Sequence, residues 1–221
     1  MKSQLLAVAF AGAMVHSAIA AEPELESDID KESYGIGMLI GQNLADRFGE
    51  LNYDVLLEGL KAQINGETAF PIEEAQNLSR QHQIRITEAK AAEAKMAGKK
   101  FLDDNAAREG VTVTDTGLQY EVVKEGDGAK PSVEDTVTVH YTGTLIDGRV
   151  FDSSVERGEP ATFPLKGVIP GWTEGLQLMN TGSTFRFVIP ADLAYGDRGA
   201  GQNIGPGETL VFEVELLEIQ G

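Results

Sequence analysis

Cysteine is missing from the 221 residues. No disulfide can form and no lipid can be attached to a thiol, so stability has to come from a hydrophobic core, for which a chain of this length is ample. Histidine is scarce: His16, His82 and His140 are too scattered, with no thiolate beside them, to support a transition-metal site, and no cofactor is expected. Basic residues are few, 18 Lys and Arg against 35 Asp and Glu, for a net charge of −17. Binding phosphates needs a basic surface, so nucleic acid is not an expected partner, and the acidity reads as a source of solubility. Proline is missing from 72–130, whereas five prolines fall between Pro160 and Pro206. The middle of the chain can therefore be helical and the end cannot.

Long apolar runs are also few. The one from Leu5 to Ala20 follows Lys2, is interrupted by His16 and Ser17, and closes on Ala18-Ile19-Ala20, a small-x-small pattern. It reads as a secretory signal peptide over residues 1–20, cleaved before Ala21. The alternative is an N-terminal membrane anchor, for which the run is short against a bilayer span of about 20 residues.

The proline-free stretch from Ile72 to about Glu109 consists of strong helix formers, clearest in Glu88-Ala-Lys-Ala-Ala-Glu-Ala-Lys95. Pro71 suits the first turn, Glu73 and Glu74 suit the positive end of the helix dipole, and Gly110 is the expected stop, while no residue is an obvious N-cap. Its apolar residues make no continuous stripe, so a helix of about 38 residues, on the order of 55 Å, is expected to stand largely in water as a spacer. Gly98 is the expected weak point, where the helix bends or frays. Two shorter helices precede it. One carries Ile36, Ile40, Leu44 and Phe48 at steps of four, and the other, capped by Asn52 and ended by Asn65-Gly66, carries Tyr53, Leu56, Leu57, Leu60 and Ile64. Two helices of this size cannot enclose a core, and a second copy of the same segment is the simplest partner.

From Thr112 the apolar period changes to two, in Leu118-Tyr120-Val122, Val137-Val139-Tyr141, Phe185-Phe187-Ile189 and Leu210-Phe212-Val214-Leu216. Only Trp172 to Met179 reads as helical among these strands, with Trp172, Leu176 and Met179 on one face. The expected fold is α+β: a C-terminal curved antiparallel sheet wrapped over a short helix, preceded by an all-α region and a long spacer helix. Asp147-Gly148 marks a tight hairpin that returns the chain through Val150, Phe151 and Asp152, so two aromatics and a carboxylate gather around one turn.

That stretch, Val137 to Ser154, together with Val168-Ile-Pro-Gly-Trp172, Ala194-Tyr-Gly196 and Leu210-Val-Phe-Glu-Val-Glu-Leu-Leu217, resembles the FKBP-type peptidyl-prolyl cis/trans isomerases in order and spacing. Tyr34-x-Ile36-Gly37 and Gly41-x-Asn43-Leu44, with the long helix after them, resemble the N-terminal dimerisation region of the exported macrophage infectivity potentiator group. The resemblance implies a folding catalyst for proline-containing polypeptides, with macrolide inhibitors of the FKBP type as ligands. It also implies a homodimer joined through residues 21–70, a spacer over 71–110 and an isomerase domain over 111–221. Export follows too, to the periplasm or in association with the outer membrane. In the site it makes Trp172 the pocket floor, and Tyr141, Phe151, Val168, Ile169 and Phe212 its walls. Ile204 joins the substrate-binding residues, Tyr195 directs its hydroxyl to the substrate carbonyl, and Asp152 polarises or positions the amide. Ala161 stands where many members carry another aromatic, Asn203 replaces one of a usual apolar pair, and the loop 196–207 lacks a histidine sometimes found there.

Taken singly, each aromatic reads better as core and Asp152 can be read as a cap for the turn at Ser153-Ser154; it is their combination that favours a site. Other chemistries fit less well. His140 lies on the strand face opposite Tyr141, away from a general-base position. Gly35-x-Gly37 and Gly41 follow no strand and so make no dinucleotide loop, and the glycines of 196–207 lack the Gly-Lys-Ser/Thr of a phosphate cradle. Two other functions stay open beside the isomerase: a dimeric holdase chaperone, and a peptide-binding module with little turnover.

Overall fold

A computed structural model describes residues 24–220, apart from the side chains of Asp46 and Arg47. The segment 1–20 read as a signal peptide lies outside the described residues. Contacts divide the chain into two units, residues 1–47 and 48–221.

The first unit contains helix α1, Asp28–Phe48, except for its last residue. Ser27 and Asp30 form a reciprocal cap at its start, the Asp30 amide donating to Ser27 Oγ at 3.2 Å and the Ser27 amide to Asp30 Oδ2 at 2.9 Å. Ile36, Met38, Leu39 and Ile40 are all exposed.

The second unit opens with α2, Tyr53–Asn65, capped as its sequence suggests: the Val55 amide donates to Asn52 Oδ1, and Gly66 takes the left-handed conformation at the end. α2 has no buried residue. Helix α3, Ile72–Ala106, starts on Pro71 without a side-chain cap and stops three residues before Glu109, leaving Gly110 to the turn beyond. Its two halves differ. The first is mostly exposed, whereas Ala91, Gly98 and Asn105, at steps of seven, are buried, the first two against Gly207 and Thr209 and the last against Gln119. A hydrophobic stripe is not needed for this contact, because small residues let the helix backbone approach closely.

Gly98 is therefore not the weak point expected of it. A methyl group there would overlap Thr209 Oγ1 and lie 3.2 Å from Thr209 Cβ. The residue that lowers helix propensity is the one that lets the helix dock. One residue from the end, the buried Asn105 amide donates to Gln119 Oε1 at 2.7 Å, and its own oxygen accepts from Arg108 at 3.0 Å and Arg186 at 2.9 Å. Gln119 in turn donates to the Leu102 carbonyl, so both buried side-chain amides at this joint have partners. Glu121 Oε2 lies 3.0 Å from Arg108 Nη2 but outside hydrogen-bonding geometry, which makes that contact a charge pair only.

Seven antiparallel strands follow: β1 Val111–Val113, β2 Gln119–Lys124, β3 Thr136–Leu145, β4 Val150–Ser153, β5 Ala161–Pro164, β6 Thr184–Ile189 and β7 Leu210–Gln220. Their order is β1-β2-β6-β7-β3-β4, with β5 pairing the first half of β3. In β3 every second residue from Val137 to Leu145 is buried, which is the alternation seen in the sequence. The Gly148 amide bonds to the Leu145 carbonyl at 3.0 Å and closes the β3–β4 hairpin. A four-residue helix, α4 Ser154–Arg157, follows β4, and α5, Pro170–Leu176, crosses the sheet with Trp172 and Leu176 buried. Met179, just past its end, is fully buried too. The architecture is the expected α+β one. β4 is the return strand expected after Asp147-Gly148, whereas the short strand β5 had no apolar alternation long enough to be read in advance.

Candidate active site

Strand β3 delivers Tyr141 to the inner face because the strand period buries every odd position from 137 to 145. Its register sets Tyr141 opposite Val214 and Gly143 opposite Phe212, so the rings of Tyr141 and Phe212 share one face of the sheet. The Tyr141 amide donates to Ser154 Oγ at 2.8 Å, which ties the strand to the start of α4. Pro170 opens α5, and Trp172 two residues later is directed inward, 4 % exposed.

Around Trp172 three rings meet the indole edge to face: Tyr141 at 5.1 Å and 88°, Phe212 at 5.2 Å and 75°, and Phe163 at 5.6 Å and 87°. Phe151 packs on Phe212 in the same way, at 5.4 Å and 84°. Such crossed arrangements satisfy the ring quadrupoles and fix each ring's orientation. They leave a cavity of about 380 Å³ lined by these rings with Val168, Ile169, Gly167, Asp152 and Tyr195. The indole Nε1–H of Trp172 is buried without a hydrogen-bond partner, an orphan donor beside the aromatic walls.

One rim of the cavity is charged. Tyr141 Oη donates to Asp152 Oδ2 at 2.5 Å, Arg157 Nη1 donates to Asp152 Oδ1, and Arg157 Nη2 donates to Tyr141 Oη at 3.1 Å. The Arg157 guanidinium also lies 5.7 Å from the Tyr141 ring centre. Burial alone would raise the Asp152 pKa, but the hydrogen bonds from Tyr141 and Arg157 outweigh it and hold the carboxyl below the usual aspartate value. Burial and then Asp152 push Tyr141 above the usual phenol value, and Tyr195 is raised in the same way by burial and the Asp152 charge. Tyr195 lines the same cavity within reach of the Asp152 charge, is 40 % exposed, and its hydroxyl makes no hydrogen bond to a described residue.

Eight of the nine residues singled out from sequence thus line one cavity: Tyr141, Phe151, Asp152, Val168, Ile169, Trp172, Tyr195 and Phe212. Ile204 does not. It is buried in the core cluster and bridges to Ala200, underneath the 196–207 loop. Two residues were missed. Phe163 supplies a sixth aromatic, and the signal was its period of two with Ala161 in a strand too short to stand out. Arg157 completes the charge network, and its signal was its place five residues past Asp152, at the end of the short helix that follows β4. The turn that Asp152 was expected to cap is capped by Ser153, whose Oγ accepts from the Glu156 amide at 3.2 Å, so the carboxylate is left to the network. His140 lies outside the cavity with Nδ1 3.1 Å from Ser154 Oγ.

With the geometry in hand, comparison with known proteins is informative. The family pattern of FKBP-type peptidyl-prolyl cis-trans isomerase matches residues 128–217, and that of the domain amino terminal to FKBP-type peptidyl-prolyl isomerase matches residues 29–122. The Outer membrane protein MIP of Legionella longbeachae is 44 % identical over 230 residues, covering 100 % of this chain and 99 % of that protein. The FKBP-type 22 kDa peptidyl-prolyl cis-trans isomerase of Escherichia coli is 48 % identical over 89 % of this chain and 98 % of its own length. Among solved structures, FkpA from Escherichia coli superposes with a TM-score of 0.74 at 36 % identity, covering 89 % of this chain and 98 % of that one.

Proposed function

The chain belongs to the FKBP-type peptidyl-prolyl cis-trans isomerase family, and we propose that it turns over X-Pro bonds by seating the proline ring on Trp172 while the amide twists. The obstacle is the partial double bond of the amide, which makes the uncatalysed step take tens to hundreds of seconds. No covalent bond has to break. The enzyme has only to bind the twisted amide better than either planar form. An acceleration of about 10⁴ to 10⁶ asks for roughly 5 to 8 kcal/mol of such differential binding.

The observation that carries this reading is the joining of an aromatic box to a fixed charge network on one rim. Trp172, Tyr141, Phe151, Phe163 and Phe212, with Val168 and Ile169, strip water from the pyrrolidine ring. A dry environment favours the twisted amide, whose charge separation is smaller than that of the planar form. Tyr195 donates to the substrate carbonyl, and its raised pKa keeps it a neutral donor at ordinary pH. Both Asp152 oxygens are engaged, by Tyr141 and Arg157. Asp152 therefore acts through its charge and through the orientation it gives Tyr141. The same pocket takes macrolide inhibitors of the FKBP type.

Residues 21–70 form a homodimer contact, 71–110 the connecting helix and 111–221 the catalytic domain. The exposed apolar side chains of α1 and α2 support the dimer. The leader-like residues 1–20 and the likeness to the Outer membrane protein MIP of Legionella longbeachae support export to the periplasm or outer membrane. Among the described residues no helix is long and apolar enough to cross a membrane.

The test is a prolyl tetrapeptide whose cis fraction is followed by a protease-coupled assay or by exchange NMR. A cis-to-trans rate that does not rise with added protein would sink the isomerase reading.

A further inference from the structure

The loop that carries Tyr195 rests on α3. Gly207 lies against the helix backbone at Ala91: a Cβ at Gly207 would stand 2.6 Å from the Ala91 carbonyl oxygen and 3.1 Å from its Cα. The Gly207 amide in turn donates to the Gly196 carbonyl at 2.9 Å, and Gly196 is the residue after Tyr195. Two turns along the helix from Ala91, Gly98 receives Thr209, two residues beyond Gly207 in the same loop. Between these contacts Lys95 Nζ reaches Asp197 Oδ1 at 2.6 Å.

The three contacts are not equal. Lys95 and Asp197 are 45 % and 64 % exposed, so solvent screens their attraction and the pair adds little rigidity. The two glycine contacts are between close-packed atoms, where a displacement of a few tenths of an ångström is resisted steeply. The loop is also closed on itself, by the reciprocal Ala200–Ile204 bonds at 2.9 and 3.2 Å, so it moves as one piece when its base moves.

We infer that the second half of α3 is part of the catalytic apparatus: through Gly98 and Gly207 it holds the 196–209 loop and so sets where the Tyr195 hydroxyl meets the substrate carbonyl. Gly98 and Gly207 are positioning residues, since neither touches the cavity. The inference rests on the role given to Tyr195 above. It also makes the isomerase domain longer than its sheet, because a chain cut at Glu109 would lack the surface on which its own loop sits.

The test uses the full chain and three readouts: kcat/KM on a prolyl tetrapeptide, exchange of the Gly207 amide proton, and the melting temperature. Gly98→Ala is expected to lower kcat/KM about tenfold, as a small misplacement of a carbonyl-binding group does. It should also speed exchange at Gly207, while the higher helix propensity of Ala keeps the melting temperature from falling. Adding Thr209→Ala in the same chain removes the overlapping hydroxyl and should restore turnover and slow exchange. Unchanged kcat/KM in Gly98→Ala, a loss without faster Gly207 exchange, or a loss that Thr209→Ala does not relieve would each overturn the inference. Should Gly98→Ala not fold, Thr209→Ala alone empties the space against Gly98 and is expected to halve kcat/KM, roughly, with faster Gly207 exchange; no change in either also overturns it. Native chain that turns over the peptide while Gly98→Ala is unaffected sinks this inference alone, whereas native chain with no turnover sinks the isomerase reading.

Discussion

Leu176 in α5 and Leu57 in α2 are the same residue in opposite situations, the first 0 % and the second 53 % exposed. The contrast extends to their regions. The sheet encloses Trp172, Leu176, Phe187, Val214 and Leu216 without help, whereas neither α1 nor α2 contributes a buried residue among those described. Fully burying a Leu side chain is worth roughly 1.5–3 kcal/mol, so the sheet gains its stability within one chain, and the proposed second copy is what would bury the exposed faces of the helices. The two regions should consequently fail in different assays.

The sharpest attack on the sheet is Trp172→Ala. Removing an indole on which three rings lean should destabilise the sheet domain by about 3–5 kcal/mol and abolish tetrapeptide turnover, leaving the proposed dimer intact. Denaturant unfolding and sedimentation on the same sample check both halves of that statement. Dissociation accompanying the loss of the core would mean that assembly depends on the sheet.

The complementary attack is Leu60→Glu. It puts a charge on the exposed apolar face of α2 and should weaken the dimer by ten- to a hundredfold, about the worth of one buried Leu, without affecting tetrapeptide turnover. A variant that sediments as the native chain does would move the interface away from α2. Smaller again is Asp152→Ala, which leaves Trp172 and its rings in place but releases Tyr141 and Arg157 from their shared acceptor. A roughly tenfold fall in kcat/KM, about 1.4 kcal/mol, with an unchanged unfolding midpoint is expected. Native turnover in this variant would remove Asp152 from the mechanism.

The sheet region was easier to read in advance than the helical one for a physical reason. Strand alternation in β3 and β7 and the Asp147-Gly148 turn are local signals, and a pocket built from neighbouring strands inherits them. Asn52 and Gly66 were legible on the same ground, as caps written in a few adjacent residues. Gly98 was not. Its meaning depends on Thr209, more than a hundred residues later, and helix propensity registers only the penalty of a glycine. Asn105 was hidden in the same way, being a buried polar residue satisfied by Gln119, Arg108 and Arg186 from three places in the chain. Phe163 and Arg157 fall between these cases, since each had a local pattern too short to be distinctive. Ile204 shows the converse error, where a sequence position was matched correctly to a loop whose inner face packs on the core.

The smallest expected effect is one of pH, and it separates the proposed chemistry from acid–base catalysis. Asp152 has a folded pKa below its usual value near 3.8, so its contribution is present above that value and is lost only as pH falls through the lower, folded one. Tyr141 and Tyr195 are shifted the other way, above about 10, and stay protonated until the solution is strongly alkaline. No group assigned to the site changes charge between about pH 5 and pH 9, so kcat/KM on a tetrapeptide should be flat there. A bend in the profile near the ordinary histidine value of about 6.5 would implicate a titrating base. His140 is the only histidine of the sheet region, and its ring is engaged with Ser154 outside the cavity. Such a bend that survived His140→Gln would have to come from the cavity itself, and isomerisation without proton transfer would then have to be given up.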